Sequence, residues 1–313
     1  MNAPVPAPLW LRVGAAITRQ LPVGRYRAAQ WFAHRTAAPF LARLPRRLGG
    51  SRFLCDPRDG YAAHAYFAGV YEPQETAVVQ ALLSAASTFV DVGANWGYFT
   101  LLTAPRVGPC GLVVSIEPDP RMCVALRANV ALNGFSNVTV LEVAAAEHGG
   151  TVPLVAFDPT RGNYGLSRLA RPGMEPAGNV AVAARALDDV FAELGLTRVS
   201  LLKMDIEGGE TSALAGLRRS LEAGIVERIL LEVHPQELAQ LGTSTDEVFE
   251  MLLGAGYRGW ALDHSARASR RAAYARQLNA REYLRPFHPG QPLDAWPHLL
   301  WARRGDDPLP GLP

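Results

Sequence analysis

The sequence predicts an α/β fold: a mostly parallel sheet covered by helices on both faces. Two observations predict it. From residue 88 onward, short apolar runs rich in β-branched residues alternate with longer helical patterns, as parallel strands joined by crossover helices do. Polar and charged residues then gather where those runs end: Asp91, Glu117, Asp205, Glu207, Glu232 and His234 all fall at or just past a strand end. Ligands of open parallel sheets sit at the carboxyl ends of the strands, so this clustering predicts one site.

The elements follow in order. Residues 1–60 form a basic leader broken by prolines. Arg25, Arg27, Arg35, Arg43, Arg46, Arg47 and Arg52 are interleaved with Trp31, Phe32, Phe40 and Leu41. Residues 10–21 and 26–44 read as amphipathic helices. Several readings stand open: a substrate lid, a homodimer arm, a contact to an acidic surface, or a solvated face packed on the domain. An aromatic stretch follows with Tyr61, Tyr66, Phe67 and Tyr71, and Pro73 opens a helix over 74–86.

Phe89 to Val92 is an apolar run with the character of a buried strand. Gly93 breaks it, and Asn95 and Gly97 keep the turn small before a helix reaches Thr103. Glycine lets a ligand approach the backbone, because it has no Cβ and tolerates positive φ. The turn does not match G-x-G-x-x-G, and Asp91 precedes its first glycine. A dinucleotide site wants a pyrophosphate on the helix N-terminus, which this carboxylate would repel. It would suit a ligand carrying an ammonium. S-adenosyl-L-methionine has an ammonium, a sulfonium and no phosphate. Glu117 ends the next run, Leu112 to Ile116, where a carboxylate can hold ribose hydroxyls. A nicotinamide-dependent oxidoreductase is disfavoured by the absent third glycine.

A helix over 120–132 stops at Asn133-Gly134, and a strand covers 138–143. Residues 151–157 and 179–186 read as a hairpin around a long loop rich in Gly, Pro and Arg. Asn163 and Tyr164, at the centre of that loop, are candidate substrate contacts; a plain loop tip is the other reading. A helix over 187–194, a strand over 199–204, a helix from Gly208 to Glu222 and a strand over 227–233 follow. Beyond them lie a helix over 245–254 capped by Ser244 or Thr243, and strands over 257–262 and 298–302, expected to pair antiparallel. Residues 267–285 read as a basic surface helix, and 304–313 as a tail.

Taken together these pieces resemble the FkbM family of class I methyltransferases. The pieces are Gly69-Val-Tyr-Glu-Pro73, Val90-Asp-Val-Gly-Ala-Asn95, Ile116-Glu-Pro118, Asn129-Val-Ala-Leu-Asn-Gly134, Leu202-Lys-Met-Asp-Ile-Glu-Gly208 and Leu231-Glu-Val-His-Pro235, spread over residues 67–262. The resemblance implies a Rossmann-like sheet of seven strands over residues 61–303, with an insertion near 150–186 and a helical extension before it. S-adenosyl-L-methionine is the cofactor it implies, held by Asp91, Gly93, Asn95, Gly97 and Glu117. Glu72 would face the cofactor's amino group; a helix-capping acid is the other reading. Ala145, in the small-residue run 144–146, would lie against adenine. The implied reaction is methylation of a hydroxyl on a sugar, glycolipid or polyketide-type product. A non-catalytic module of this fold, binding a partner through its basic segments, is the alternative.

Removing a proton from the acceptor requires a base. His234 is the first candidate, since an ordinary imidazole titrates near neutrality. Asp205 is a second base or orients His234, and Glu207 and Glu232 are placed beside substrate. Carboxylates with histidine can hold a divalent metal, but no Asp-Asp or Asp-Asn pair stands in the expected place and no metal is expected.

Bulk properties narrow the class. The 313 residues, 49% hydrophobic and 19% charged, suit an ordinary globular protein. A net charge of +2 does not call for a nucleic-acid partner. Lys203 is the single lysine; beside so much Ala, Gly and Pro, that reads as genome composition. Cys55, Cys110 and Cys123 are scattered and unpaired in spacing, which favours a reducing cytoplasm. Pro4, Pro6 and Pro8 interrupt the start, no signal peptide is read, and no apolar run reaches the roughly 18 residues of a membrane span.

Overall fold

The structure is a computed structural model that describes residues 5–36, 38–155, 168–169, 179–275, 277–303 and 307–309. Its centre is one eight-stranded sheet. In chain order the strands are β1 (Thr88–Val92), β2 (Leu112–Ile116), β3 (Val138–Leu141), β4 (Leu201–Met204), β5 (Arg228–Glu232), β6 (Arg258–Leu262), β7 (Leu284–Pro286) and β8 (His298–Ala302). Their spatial order is β3-β2-β1-β4-β5-β8-β6-β7. The first five run parallel, and β8 lies antiparallel to both β5 and β6. The order reverses between β1 and β4, which is where such sheets open a crevice for ligands.

Both faces of this sheet are apolar, so alternate residues of each strand enter different cores. Phe89, Val113, Leu201, Leu230 and Leu300 join one cluster, together with Leu11, Phe40 and Phe53 of the leader. Val90, Val114, Leu202, Leu231 and Leu299 join the other, with Val190, Leu214 and Leu252. The leader's first helix, Leu9–Gln20, buries Leu11, Ala15 and Thr18.

Several expected elements change. The eighth strand, β7, was hidden in the basic stretch 267–285, which is α-helical over Ala266–Tyr274 and makes a 3-10 turn at Ala280–Glu282. Pro286 is tolerated there because β7 is an edge. The second leader helix ends at Ala33, and Phe40–Arg43 instead pairs antiparallel with Arg52–Cys55. The helix expected to Glu222 is two, Glu210–Ala215 and Arg218–Ala223. The Asp188 carboxylate restarts the chain there by accepting the amides of Arg219 (2.9 Å) and Ser220 (2.8 Å). A short helix, Pro235–Gln240, follows β5 unannounced. The hairpin Gly150–Val155 with Asn179–Arg185 forms as expected; Asn163 and Tyr164 lie outside the described residues. None of the described helices is long and apolar enough to cross a membrane.

Candidate active site

The ends of β1 and β4 pass so closely that only glycine fits between them. A Cβ on Gly93 would stand 1.9 Å from the Asp205 carbonyl oxygen, and its φ is +85°. The amides of Gly93 and Ala94 both donate to the Ile116 carbonyl (2.9 and 3.0 Å). This ties the turn to β2. Gly97 serves packing instead: at φ +96° its Cβ would meet Leu126 Cδ1 at 2.5 Å.

The turn aims one further amide at a side chain. Asn95 N–H donates to Glu117 Oε2 and Asp119 N–H to Glu117 Oε1, each at 2.8 Å. Both carboxylate oxygens are thereby fixed, and each keeps a lone pair for another donor. Burial pushes the Glu117 carboxyl up to about 7, against the pull of those two amides.

A cavity of about 370 Å³ opens over these strand ends. On the β1–β3 side its wall holds Gly93, Asn95, Glu117, Met122, Ala144 and Ala145. On the β4–β5–β8 side it holds Lys203, Asp205, Glu207, Glu232 and His298, with Tyr61, Tyr71, Glu72 and His264 completing it. Eight of the residues singled out in the sequence therefore share one wall: Glu72, Gly93, Asn95, Glu117, Ala145, Asp205, Glu207 and Glu232. Asp91, Gly97 and His234 are not on it. Asp91 is 1% exposed, and its Oδ2 accepts a hydrogen bond from Thr100 Oγ1 at 3.0 Å. Burial raises it to about 6.

Lys203 holds the acidic side together. Its ammonium is 3.1 Å from Asp205 Oδ2 and 4.8 Å from the centre of the Phe99 ring. Burial works against its charge, but Asp205, Glu72, Asp91 and Glu232 outweigh that and raise its pKa. Asp205 is lowered, because Lys203 and His234 overcome its burial. Glu72 is pushed up to about 7 by burial, and its Oε2 is a buried oxygen with no hydrogen-bond partner among the described residues. Burial likewise raises Glu207 to about 7, and it raises Glu232 well above its ordinary value with help from Asp205 and Glu72. Glu72 and Glu207 both stand at positive φ, 40° and 53°. Strain of this kind collects at functional sites.

His234 sits behind this wall. Its Nδ1 is 2.7 Å from Glu210 Oε1, and its Nε2 is 3.5 Å from Glu207, 3.6 Å from Glu232 and 3.9 Å from Asp205. Burial disfavours the imidazolium, but Glu210, Asp205 and Glu207 lift its pKa to about 10. It already carries its proton at neutral pH, so the geometry argues against the expected role of base. Its place is that of a fixed cation under three strand-end carboxylates.

A second histidine pair went unnoticed in the sequence. His264 Nε2 and His298 Nδ1 lie 2.7 and 3.0 Å from the same Glu75 Oε1. The two rings stack with centroids 4.4 Å apart and planes 24° from parallel. Both ring nitrogens converge on this one carboxylate oxygen, and Glu75, His264 and His298 have ligand-like spacing. Two other described groups have ligand-like spacing, Asp205-Glu207-His234 and Glu72-Asp205-Glu232. The first contains the protonated His234, and the second sits against Lys203. The signal missed in the sequence was Lys203 itself: the lone lysine of an arginine-rich chain stands at the centre of the site.

Residues 91–258 match the methyltransferase FkbM domain. The chain belongs to the FkbM methyltransferase family. Strands β2 to β5, the Gly93 turn and the Glu117 clamp all fall inside the matched segment. S-adenosyl-L-methionine is the cofactor of this family. Among similar proteins are methyltransferase sdnD of Sordaria araneosa, 32% identical over 154 residues (41% of this chain, 59% of that protein), and 2-O-methyltransferase NoeI of Sinorhizobium fredii, 26% identical over 158 residues (46% and 63%). The 31-O-demethyl-FK506 methyltransferase FkbM of Streptomyces tacrolimicus is 29% identical over 196 residues (53% and 71%). The chain spans about six-tenths of the length of the first of these relatives. A solved FkbM methyltransferase from Methylobacillus flagellatus aligns at 19% identity with a TM-score of 0.42, over 89% of this chain and 59% of that one.

Proposed function

We propose that this FkbM-family chain transfers a methyl group from S-adenosyl-L-methionine to a hydroxyl oxygen of a neutral, polyhydroxylated acceptor such as a sugar, a glycolipid head or a polyketide-type product. The observation that carries the reading is a single cavity with two kinds of wall: a clamped ribose-type carboxylate, Glu117, on one side and a ring of acids around Lys203 on the other. The donor set fits the cofactor. Glu117 has free lone pairs for two hydroxyls, Ala144 and Ala145 offer a flat small-residue wall, and the unpartnered Glu72 Oε2 suits an ammonium. When bound, the cofactor supplies a methyl group activated by a sulfonium.

The chain's own residues then do three things. Lys203 keeps Asp205 ionised, and Asp205 would orient an acceptor hydroxyl by accepting its hydrogen bond. Glu207, with a carboxyl near 7, is the wall residue best matched to taking that hydroxyl's proton at working pH. Asp205 together with the partly ionised Glu207 disfavours anionic acceptors, since like charges in a poorly hydrated site repel. The names of two relatives, a 2-O-methyltransferase and a 31-O-demethyl-FK506 methyltransferase, support oxygen as the methylated atom. The test is calorimetric titration with S-adenosylhomocysteine on wild type and Glu117→Ala, followed by activity on sugar and macrolide hydroxyls with and without Glu207→Gln. Saturable binding weakened by the first substitution and turnover abolished by the second are expected. A folded protein that does not bind S-adenosylhomocysteine would remove the proposal.

A further inference from the structure

The net charge of the chain conceals a split. The first 55 residues contain nine arginines and no acid, while the remaining residues carry twenty-two cations against twenty-nine acids. The same leader exposes apolar side chains in a row. In the helix Leu9–Gln20, one face buries Leu11, Gly14, Ala15 and Thr18 against the domain. The opposite face should be polar in a surface helix. It instead exposes Leu9 (71%), Trp10 (49%), Val13 (49%) and Ile17 (58%), at the spacing of successive turns. This helix is apolar nearly all round, yet half of it faces water.

Its neighbours add charge. The leader is anchored beside the helix Ala266–Tyr274 through Arg25, whose Nη1 donates to the Ala273 carbonyl at 2.6 Å and whose amide donates to the Tyr274 hydroxyl at 3.0 Å. Pro22 of the leader shares a surface groove with Arg267, Arg270, Arg271 and Glu282, the last lying 3.0 Å from Arg271. A helix with an apolar outer stripe that includes a tryptophan, in a leader whose first 55 residues hold nine arginines and no acid, has the make-up of an element that lies in the plane of an anionic bilayer surface.

We propose that the outward face of Leu9–Gln20 docks this chain on an anionic lipid bilayer, with Leu9, Trp10, Val13 and Ile17 entering the headgroup boundary and the exposed Arg12, Arg27, Arg35, Arg43 and Arg46 of the leader available to lipid phosphates. A bilayer is favoured over a protein groove by the charge: residues 1–55 supply nine arginines and no acid, the balance that an anionic leaflet attracts. The inference is independent of the methyl-transfer reading.

The test uses the full chain and co-sedimentation with vesicles. Vesicles of phosphatidylcholine alone are compared with vesicles containing phosphatidylglycerol. Binding to the anionic vesicles at least tenfold tighter is expected, weakening as salt rises, because each interfacial arginine is worth roughly a fivefold change. The variant Trp10→Ser/Val13→Ser/Ile17→Ser alters only exposed positions, so it should keep the wild-type melting temperature and S-adenosylhomocysteine affinity while losing vesicle binding. Wild type that stays in the supernatant with anionic vesicles would overturn the proposal, as would a triple variant that sediments like wild type. Sedimentation velocity supplies the other overturning outcome: a wild-type dimer that the triple variant dissolves would assign this face to a second copy of the chain.

Discussion

His234 and Glu210 form a buried ion pair one layer behind the cavity, with Nδ1 2.7 Å from Oε1 and Glu210 wholly enclosed. Its consequence is a proton that does not leave at neutral pH. The folded pKa of His234, about 10, stands above its ordinary value of 6.5. Its stabilising contribution is therefore full below about pH 6.5 and is lost as pH rises through about 10. His234→Gln should cost about 3 kcal/mol at neutral pH, because it strands the Glu210 carboxylate. Denaturant titrations of both proteins between pH 6 and 10.5 check this. The gap should shrink towards the alkaline end; equal stability at pH 7 would mean the imidazolium clamps nothing.

Lys203 is the other cation of the site, and it opposes more acids than it can neutralise. Lys203→Met leaves Asp205, Glu72, Asp91 and Glu232 without their shared counter-ion. Those groups then relieve their repulsion by binding protons. Wild type draws stability from an ionised Asp205, whose pKa is lowered, so that part is kept above the ordinary carboxylate range and lost only in acid. The variant should behave in the opposite sense near neutrality, melting at a higher temperature at pH 5.5 than at pH 7.5. A Lys203→Met protein with the pH profile of wild type would show that the acids are already protonated in the native site.

How much of this was legible in the sequence depends on where each signal resides. Strand–turn–helix units are local, so β1, β2, β4 and β5 and their acids could be placed from periodicity and glycine punctuation alone. The eight acids, glycines and small residues now on one wall were readable because parallel strands deliver their ends to one edge. Three things were not. His264, His298 and Glu75 come together only through the antiparallel return of β8 against β5, which pairs His298 with Glu232. Whether Asp91 faces the ligand or lies under the turn depends on the direction of one side chain. And the roles of His234 are set by four acids from three segments, a sum that no local motif reports.

Glu117 connects cofactor affinity to pH. Burial holds its carboxyl near 7, while the hydroxyl-binding form is the carboxylate. S-adenosylhomocysteine should therefore bind more tightly as pH rises through about 7, with about a tenfold gain per unit well below that point. Glu117→Gln keeps an oxygen for one of the two amides and cannot titrate, so its affinity should be lower by roughly one to two orders of magnitude and nearly flat with pH. Calorimetry from pH 5.5 to 8.5 on both proteins separates these outcomes. A wild-type affinity that does not change over that range would place the Glu117 carboxylate away from the cofactor's hydroxyls.

Gly93 and Gly134 separate close packing from backbone conformation. Both have positive φ, +85° and +64°, so an alanine at either pays the left-handed penalty of about 1 kcal/mol. At Gly134 the new Cβ meets nothing within 4 Å, whereas at Gly93 it would lie 1.9 Å from the Asp205 carbonyl oxygen, which is backbone and cannot swing aside. Gly134→Ala should therefore unfold about 1 kcal/mol sooner and keep cofactor binding. Gly93→Ala has to push β1 away from β4, two neighbouring interior strands of the sheet, and should lose more than about 3 kcal/mol together with S-adenosylhomocysteine binding. Urea denaturation and calorimetry of the two single variants measure both. If Gly93→Ala proved as mild as Gly134→Ala, the strand ends would have to yield by more than an ångström, and the tight approach of the Gly93 turn to Asp205 would not be what shapes the cavity floor.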